Sequence, residues 1–197
     1  LWSIPDADKV YRYLTTRDIK SAVVVGGGFV GIEMVENLVN RGIEVTLVEM
    51  LDQVMNNVDR DMAQWLHMEL NEKGVHLSFS EALTKVEHNG GKANIVLASG
   101  RSISADMVIL SAGIKPNTEL AKAAGLSLGR KGHIIVDQML TTNDPDIFAL
   151  GDAVEVTNFI TNQRCVAALA APANKQGRIA AGNVLGNRIP YRGAQMT

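Results

Sequence analysis

The glycine cluster in residues 23–31, V-V-V-G-G-G-F-V-G, constrains the fold of this chain more than any other stretch. A β-branched run enters it, and a segment with apolar residues near helical period follows. The three glycines have the spacing Gly26-x-Gly28-x-x-Gly31. Gly26 allows a tight turn out of the strand, and Gly28 allows a ligand to approach the backbone closely. Gly31 allows the following helix to pack closely against the strand. The helix N-terminus adds N–H groups and partial positive charge. The pattern predicts a strand–turn–helix that binds the diphosphate of a dinucleotide.

The segment after this helix refines the predicted ligand. A strand over 44–48 ends in Glu49, where an acid accepts hydrogen bonds from ribose hydroxyls and repels a 2′-phosphate. No arginine occurs within 50–58. We therefore predict NAD(H) rather than NADP(H), and we include Phe29 and Val30 with the three glycines and Glu49 in the cofactor site. The alternative is an ordinary strand–helix turn that binds nothing.

Composition excludes several function classes. The 197 residues are 46% hydrophobic with a net charge of −2, and no basic stripe points to nucleic acid. No apolar run approaches the length of a membrane span. The single cysteine, Cys165, excludes an intrachain disulfide and agrees with a cytoplasmic location. It lies beside an apolar run, so we expect a buried, inert thiol. The four histidines have no metal-ligand spacing, and no metal site is predicted.

The middle of the chain predicts a specific variant of the doubly wound fold. Short alternating segments over 83–88 and 93–97 flank Asn89-Gly90-Gly91, which is a hairpin signal. A buried strand is predicted over 105–110, and Gly113 beyond its end allows close backbone approach to a ligand. The fold class is therefore α/β, with a Rossmann-like parallel sheet in which an antiparallel hairpin replaces one crossover helix.

Other elements are predicted from periodicity and capping. A helix over 6–14 is expected to begin at Asp6, and a helix over 60–72 is expected to bury Met62, Trp65, Leu66 and Leu70. A buried strand over 147–150 leads into Gly151-Asp152, and an acid at such a sheet edge suits hydroxyl recognition. A final helix over 172–185 is predicted, with Pro172 near its first position.

These motifs follow one another in an order that resembles a known family. The quoted runs are G-G-G-F-V-G-I-E-M-V-E-N-L, S-A-G-I-K-P-N, T-T-N-D-P-D-I-F-A-L-G-D-A-V-E and A-L-A-A-P-A-N-K-Q-G-R-I-A-A. Together they resemble the FAD-dependent pyridine nucleotide–disulfide oxidoreductases. Within that family the chain is similar to the branch of CoA-disulfide reductase, NADH-dependent persulfide reductase, and NADH oxidase or peroxidase.

The resemblance implies a domain organisation. Residues 1–20 would be a linker and helix from an FAD domain, 21–133 an NAD(H)-binding domain, and 134–197 the returning part of the FAD domain. A C-terminal dimerisation domain, absent from these 197 residues, would make the parent protein a homodimer. The family's N-terminal FAD glycine motif is also absent, so we expect an internal piece of a longer protein.

The resemblance also assigns residues beyond the glycine motif. Asp152 would bond the ribityl chain of FAD, and the helix start at Pro172 and Ala173 would face the flavin. Glu33 would lie near the meeting point of nicotinamide and flavin, and Asn174 on the side of a thiol substrate. Gly113, Gly151 and Ala171 complete the expected cofactor contacts, although relatives usually carry glycine at the position of Ala171.

The implied activity is hydride transfer from NADH to FAD and on to a small-molecule disulfide or persulfide such as CoA-disulfide. The redox cysteine of the family has no counterpart here, and Cys165 is not in its position. We therefore expect no catalytic residue within the 197 residues and no activity from this chain alone. The alternatives are a NADH oxidase or peroxidase of the same family, and a nucleotide-binding module without redox chemistry.

Overall fold

The computed structural model describes residues 3–195, with the backbone alone at Asn89. They form two compact units that divide between Gly113 and Ile114. This division lies twenty residues before the 133–134 boundary expected from the resemblance. The reason is packing, since Ala121 lies in one hydrophobic cluster with Ile134 and other residues of the second unit. Which cofactor each unit serves remains a prediction.

The first unit is built on a parallel sheet. Its elements are α1 (Ile4–Thr16), β1 (Ser21–Val25), α2 (Phe29–Val39), β2 (Glu44–Val48), α3 (Arg60–Glu72), β3 (His76–Ser78), β4 (Leu83–Asn89), β5 (Lys92–Leu97), β6 (Ser102–Ala105) and β7 (Met107–Leu110). The parallel strands lie in the order β3-β2-β1-β7. Alternate residues of β1 enter two different hydrophobic clusters, so the strand is apolar on both faces. The predicted α/β fold is confirmed.

The antiparallel hairpin forms where the sequence predicts it. β4 and β5 pair from Leu83 to Asn89, and β6 adds a third antiparallel strand. Asn89 pairs with Lys92, which leaves a two-residue turn at Gly90 and Gly91, both with positive φ. A two-residue turn with positive φ at both positions has a twist that matches the twist of the two strands it joins. Glycine adopts these φ values without strain.

The single strand predicted over 105–110 is wrong, because the chain turns a corner at Asp106. β6 ends at Ala105 in the antiparallel sheet, and β7 begins at Met107 in the parallel sheet. The Asp106 carboxylate accepts hydrogen bonds from the N–H groups of Lys20 and Ser21, both at 3.0 Å. These bonds lower the pKa of Asp106. The corner therefore depends on residues more than 80 positions away, which local pattern does not reveal.

Helix α1 begins two residues earlier than predicted. Its N-cap is Ser3, and Asp6, expected as the cap, lies three residues into the motif. The Asp6 carboxylate accepts a hydrogen bond from the Ser3 N–H at 3.0 Å, as in a capping box. Tyr13 donates its hydroxyl to Asp106 O at 3.1 Å, so α1 packs on the first unit.

The buried face of α3 agrees with the prediction at Leu70, which is buried, and at Leu66, which packs half-buried against the same core, but not at Met62 and Trp65. Ala63, His67 and Leu70 are buried, whereas Met62 is 59% exposed and Trp65 is 69% exposed. The predicted set mixed residues of two faces. The spacing of the apolar residues at positions 62, 65 and 66 places them on one side of a helix, but it does not say whether that side faces the core or the solvent. The inward position between Ala63 and Leu70 belongs to His67, which an apolar pattern does not include.

The second unit contains α4 (Glu119–Ala123), β8 (Ile134–Ile135), β9 (Val154–Thr157), β10 (Arg164–Cys165) and α5 (Ala170–Val184). Its sheet has the order β10-β9-β8. The strand predicted over 147–150 is wrong, since within this segment Phe148 alone forms a β-bridge, to Thr141. Leu150 is 40% exposed. An extended apolar segment forms a strand only where its backbone pairs with a neighbouring strand over several residues, and this segment forms a bridge at one residue only.

The helices of both units are short. The longest, α5, has 15 residues, and α1 and α3 have 13 each. Across residues 3–195, none has both the length and the apolar character needed to cross a bilayer.

The assignment of the α3 faces is testable by stability measurements. Leu70→Ala should lower the free energy of unfolding by about 2–5 kcal/mol, because it leaves a cavity in the core. Trp65→Ala should change it by about 0.5 kcal/mol or less, because the side chain is exposed. Denaturant unfolding of both variants measures this. An equal loss for the two variants would show that Trp65 belongs to the core.

Candidate functional site

The glycine-rich loop joins β1 to α2 at the carboxyl end of the parallel sheet. Gly26 has a φ of 107°, and its N–H donates to Val48 O, at the end of β2, at 2.8 Å. On the other side, Ser111 N, directly after β7, donates to Val25 O at 2.8 Å. The loop is therefore fixed to the ends of three neighbouring strands, the edge at which open α/β sheets bind ligands.

Two glycines of the motif are required by the protein's own packing. A Cβ on Gly26 would lie 2.6 Å from Ser111 O, and its positive φ is one that L side chains rarely adopt. A Cβ on Gly31 would overlap the carbonyl oxygen of Gly26. These glycines let α2 approach the loop and the end of β7, in agreement with the sequence prediction.

Gly28 differs from the other two glycines. Its φ of −79° and ψ of −174° are extended backbone open to any residue, and a Cβ there would meet nothing within 4 Å. The protein therefore places no steric restriction on a side chain at Gly28. The space outside it suits a ligand that lies against the backbone, so the loop fits a dinucleotide diphosphate.

The N-terminus of α2 begins at the open glycine itself. Gly28 is its N-cap, with no side-chain capping hydrogen bond, and the first intrahelical bond runs from Ile32 N to Gly28 O at 3.0 Å. The N–H groups of Phe29, Val30 and Gly31 precede that bond, as at any helix start. They and the helix dipole form a site suited to a phosphate. Phe29 and Val30 expose their side chains beside it.

Glu49 lies against the glycine-rich loop and is 9% exposed. Its Oε2 accepts a hydrogen bond from Gly27 N at 2.6 Å, and its Oε1 accepts one from Leu51 N at 2.9 Å. Each carboxylate oxygen has two lone pairs, so Glu49 retains capacity for ribose hydroxyls. The structure therefore gives Glu49 a role in holding the loop, in addition to the ribose contact that stays a prediction.

Two other predicted residues of the first unit lie at its surface. Glu33 is exposed in the second turn of α2, and Asn37 donates its side-chain amide to the Glu33 carbonyl at 2.8 Å. Gly113 has a φ of 87°, is exposed, and would accommodate a Cβ without contact within 4 Å. Their predicted roles near the nicotinamide and the cofactor are untested.

Sequence reasoning missed Ser111 as a residue that supports the glycine-rich loop. Its hydroxyl lies 2.9 Å from Val25 O and 3.1 Å from Gly26 O, so it donates to the backbone at the start of the loop. Its Oγ also lies 3.0 Å from the position of a Cβ on Gly31. The available signal was a small hydroxyl residue directly after a buried strand, in the segment S-A-G.

In the second unit, Gly151 and α5 are held together. Gly151, with a φ of 78°, begins a short 3-10 turn, and its N–H donates to Gln176 Oε1 at 2.7 Å. Gln176 is 1% exposed and was missed, although the quoted A-P-A-N-K-Q run contains it. A Cβ on Gly151 would lie 3.9 Å from Ala173 Cβ. Asp152 is exposed in the same turn.

Helix α5 begins two residues before the predicted start. Its first residue is Ala170, so Pro172 is the third residue rather than near the first. Proline is tolerated throughout the first turn because those N–H groups have no intrahelical acceptor. Ala171 and Asn174 are exposed on this part of α5. The structure thus places Ala171, Pro172 and Ala173 in one helical turn.

Cys165 is half-buried on β10, not fully buried as predicted. Burial raises the pKa of its thiol, and the nearby Glu155 carboxylate raises it further. The thiol is therefore protonated at neutral pH and a poor nucleophile. Among residues 3–195, no group of three or more histidine, cysteine or acidic side chains is arranged to hold a metal ion.

The parallel sheet, its glycine-rich loop and the antiparallel hairpin define a Rossmann-type α/β protein. The family model described as pyridine nucleotide-disulphide oxidoreductase matches residues 3–177. The chain therefore belongs to the pyridine nucleotide-disulphide oxidoreductase family.

Curated relatives agree with this assignment. The chain is 36% identical over 185 residues to a NADH oxidase of Methanocaldococcus jannaschii, which covers 93% of this chain and 41% of that protein. It is 30% identical to a coenzyme A disulfide reductase of Staphylococcus aureus, covering 98% of this chain and 43% of that protein. The chain thus spans less than half the length of these relatives.

Solved structures show the same similarity. The reduced Bacillus anthracis CoADR-RHD matches with a TM-score of 0.94 and 44% identity, covering 98% of this chain and 35% of that one. A NAD-dependent persulfide reductase from A. fulgidus matches with a TM-score of 0.92 and 39% identity, covering 98% and 36%.

The different roles of the motif glycines are testable without a ligand. Gly31→Ala should lower the free energy of unfolding by about 2 kcal/mol, because the overlap with Gly26 O outweighs the gain in helix propensity. Gly28→Ala should change it by about 0.5 kcal/mol or less, since the new methyl group meets only solvent. Chemical denaturation of both variants measures this. If Gly28→Ala were the more damaging change, the assignment would be wrong.

Proposed function

We propose that this chain is the NAD(H)-binding portion, with a returning part of the FAD domain, of an FAD-dependent NAD(P)H oxidoreductase. The observation that carries the proposal is Gly28, which is the N-cap of α2 and which the fold itself does not require to be glycine. Its neighbours Gly26 and Gly31 are explained by packing alone, so they argue for the fold. Gly28 argues for a ligand.

In the first unit, we assign the diphosphate to the backbone N–H groups from Gly28 to Gly31. The start of α2 adds its dipole, which favours the negative charge. Glu49 accepts the ribose hydroxyls and disfavours a 2′-phosphate, so NAD(H) is the proposed cofactor. Glu33 and Gly113 are proposed to lie near the bound cofactor.

In the second unit, we assign the flavin contacts to two adjacent segments. Gly151 and Asp152 would supply the ribityl contact, and Ala171, Pro172 and Ala173 the helix turn that faces the flavin. The first turn of α5 would stabilise negative charge on a ring placed there. Asn174 is proposed for the thiol substrate.

When bound, NADH supplies a hydride and FAD accepts it. The chain's own residues bind and orient these groups. Cys165 is not proposed as the redox thiol, because its pKa is raised and it is half-buried. Redox chemistry at sulfur would need a cysteine from elsewhere in the protein, and this chain alone is expected to be inactive.

We propose a small disulfide or persulfide, such as CoA-disulfide, as the electron acceptor. The similarity to a persulfide reductase and to CoADR-RHD supports this choice, at 39% and 44% identity. A NADH oxidase is the second candidate, since the relatives from M. jannaschii and Enterococcus faecalis bear that name at 36% and 38% identity. A non-catalytic nucleotide-binding module remains the third candidate.

The nucleotide site is tested by binding. The chain should bind NADH at least about tenfold more tightly than NADPH, because Glu49 repels a 2′-phosphate. Gly28→Val should weaken NADH binding by about tenfold or more, because the branched side chain would occupy the space assigned to the diphosphate. Calorimetric titration measures both.

Gly177→Ala is the matched control for this test, since a Cβ there also meets nothing within 4 Å but lies on α5. It should leave NADH affinity unchanged. Equal NADH affinity of Gly28→Val and the unchanged chain would contradict the assigned pocket. Tighter binding of NADPH than NADH would contradict the role of Glu49.

Flavin retention tests the assignment of the second unit. The 197-residue chain, refolded with excess FAD and passed through gel filtration, should keep far less than one FAD per chain. Its sequence holds one GxGxxG motif, which the proposal gives to NAD(H). Flavin absorbance per chain is the measurement. A yellow preparation with one FAD per chain would contradict the proposed division of the cofactors.

A further inference from the structure

The loop between β2 and α3 supports the glycine-rich loop directly. Met55 N donates to Gly27 O at 2.8 Å. Val54 is 0% exposed, and its Cγ1 lies 3.1 Å from the position of a Cβ on Gly27. The backbone at Gly27 is therefore in close contact with both residues, and a displacement of Val54 would displace the loop.

Val54 is in turn held by a histidine on α3. The Val54 N–H donates to His67 Nε2 at 3.2 Å. His67 is 8% exposed, and its ring centroid lies 4.6 Å from that of Phe79. Because Nε2 accepts this hydrogen bond, it carries no proton, and the neutral ring carries its proton on Nδ1. Among the described residues, His67 is the acceptor for the buried Val54 N–H.

The charges near His67 favour this neutral ring. Burial lowers the pKa of His67, the positive charge of Arg60 lowers it further, and the Asp52 carboxylate opposes them. Asp52 and Arg60 are themselves paired at 2.7 Å. The pKa of the folded state therefore lies below the ordinary value of 6.5.

A cavity of about 610 Å³ adjoins the ring, and two further titratable or charged side chains line it, His76 from β3 and Arg101 directly before β6. His76 Nε2 lies 3.3 Å from the Glu44 carboxylate. Arg101 donates a hydrogen bond to Ser78 Oγ. The Glu44 carboxylate is paired with His76, and Arg101 is a cation, so neither side chain favours a protonated His67.

We propose that His67 is a positioning residue for the dinucleotide, acting through Val54 and Met55 on the Gly27 peptide of the glycine-rich loop. The inference rests on the proposed function, since it takes that loop to be the diphosphate site. Protonation would make Nε2 a donor facing the Val54 N–H donor, and would place a charge among buried groups. The hold on the loop is then lost as the pH falls below about 6.5 toward the lowered pKa of His67.

Two variants of the 197-residue chain separate the hydrogen bond from packing. His67→Phe keeps a ring but removes the acceptor, and should weaken NAD⁺ binding by about five- to tenfold at about pH 8. His67→Gln keeps an acceptor oxygen and should stay within about threefold of the unchanged chain. His76→Gln, which lines the same cavity, is the control and should bind as the unchanged chain does. Calorimetry with NAD⁺ measures all four proteins.

The pH profile is the readout that a purely structural role would not produce. NAD⁺ affinity of the unchanged chain should fall as the pH is lowered below about 6.5, with the midpoint of the His67 ring titration seen by NMR. Without ligand, the Val54 and Gly27 amide signals should shift with that midpoint. In His67→Gln, both the affinity step and the amide shifts should be absent.

Each outcome bears on the proposal. A folded His67→Phe that binds NAD⁺ as well as the unchanged chain would overturn it, as would an affinity step that persists in His67→Gln. If His67→Phe does not fold, the pH profiles of the unchanged chain and His67→Gln decide. If no protein binds NAD⁺ at about pH 8, the proposed function fails. In that case, amide signals of Val54 and Gly27 that shift with the His67 titration would still establish that His67 holds the glycine-rich loop.

Discussion

The structure of the candidate site depends on how the peptide of Gly27 is held. Its N–H donates to the buried Glu49 carboxylate at 2.6 Å, and its carbonyl accepts from Met55 N at 2.8 Å. A hydrogen bond to an ionised, buried carboxylate is among the stronger ones in proteins. It joins the end of β2 to the loop that begins α2. The acid that the proposal gives to the ribose is therefore also part of the support of the loop, so one residue connects nucleotide choice with loop geometry.

The glycines of the motif have two different roles: two of them allow close packing within the protein, and one leaves space beside the backbone. Gly26 and Gly31 are glycines because Ser111 and the loop's own carbonyl leave no room for a side chain. Gly28 is glycine although the protein leaves room. A fold that only needed the turn would not need the middle glycine. This difference in packing, more than the presence of the motif, is the structural argument for the proposed ligand at the loop.

The second unit follows the same principle, with a buried side chain positioning an exposed turn. Gln176, 1% exposed, holds Gly151 at the start of the turn that carries Asp152. Beside that turn, residues 147–149 pair with 140–142 through two backbone hydrogen bonds, from Thr142 N to Ile147 O and from Ala149 N to Leu140 O, both at 3.0 Å.

The features that local chemistry controls were predictable from the sequence. Glycine spacing, the β-branched run of β1 and the Asn89-Gly90-Gly91 turn act within a few residues, so the Rossmann-like sheet, its loop and the hairpin were predictable. The corner at Asp106, the buried face of α3 that includes His67, and the short pairing of residues 147–149 with 140–142 became visible only in the folded chain. Each depends on burial, strand pairing or hydrogen bonds that exist only once the chain has folded.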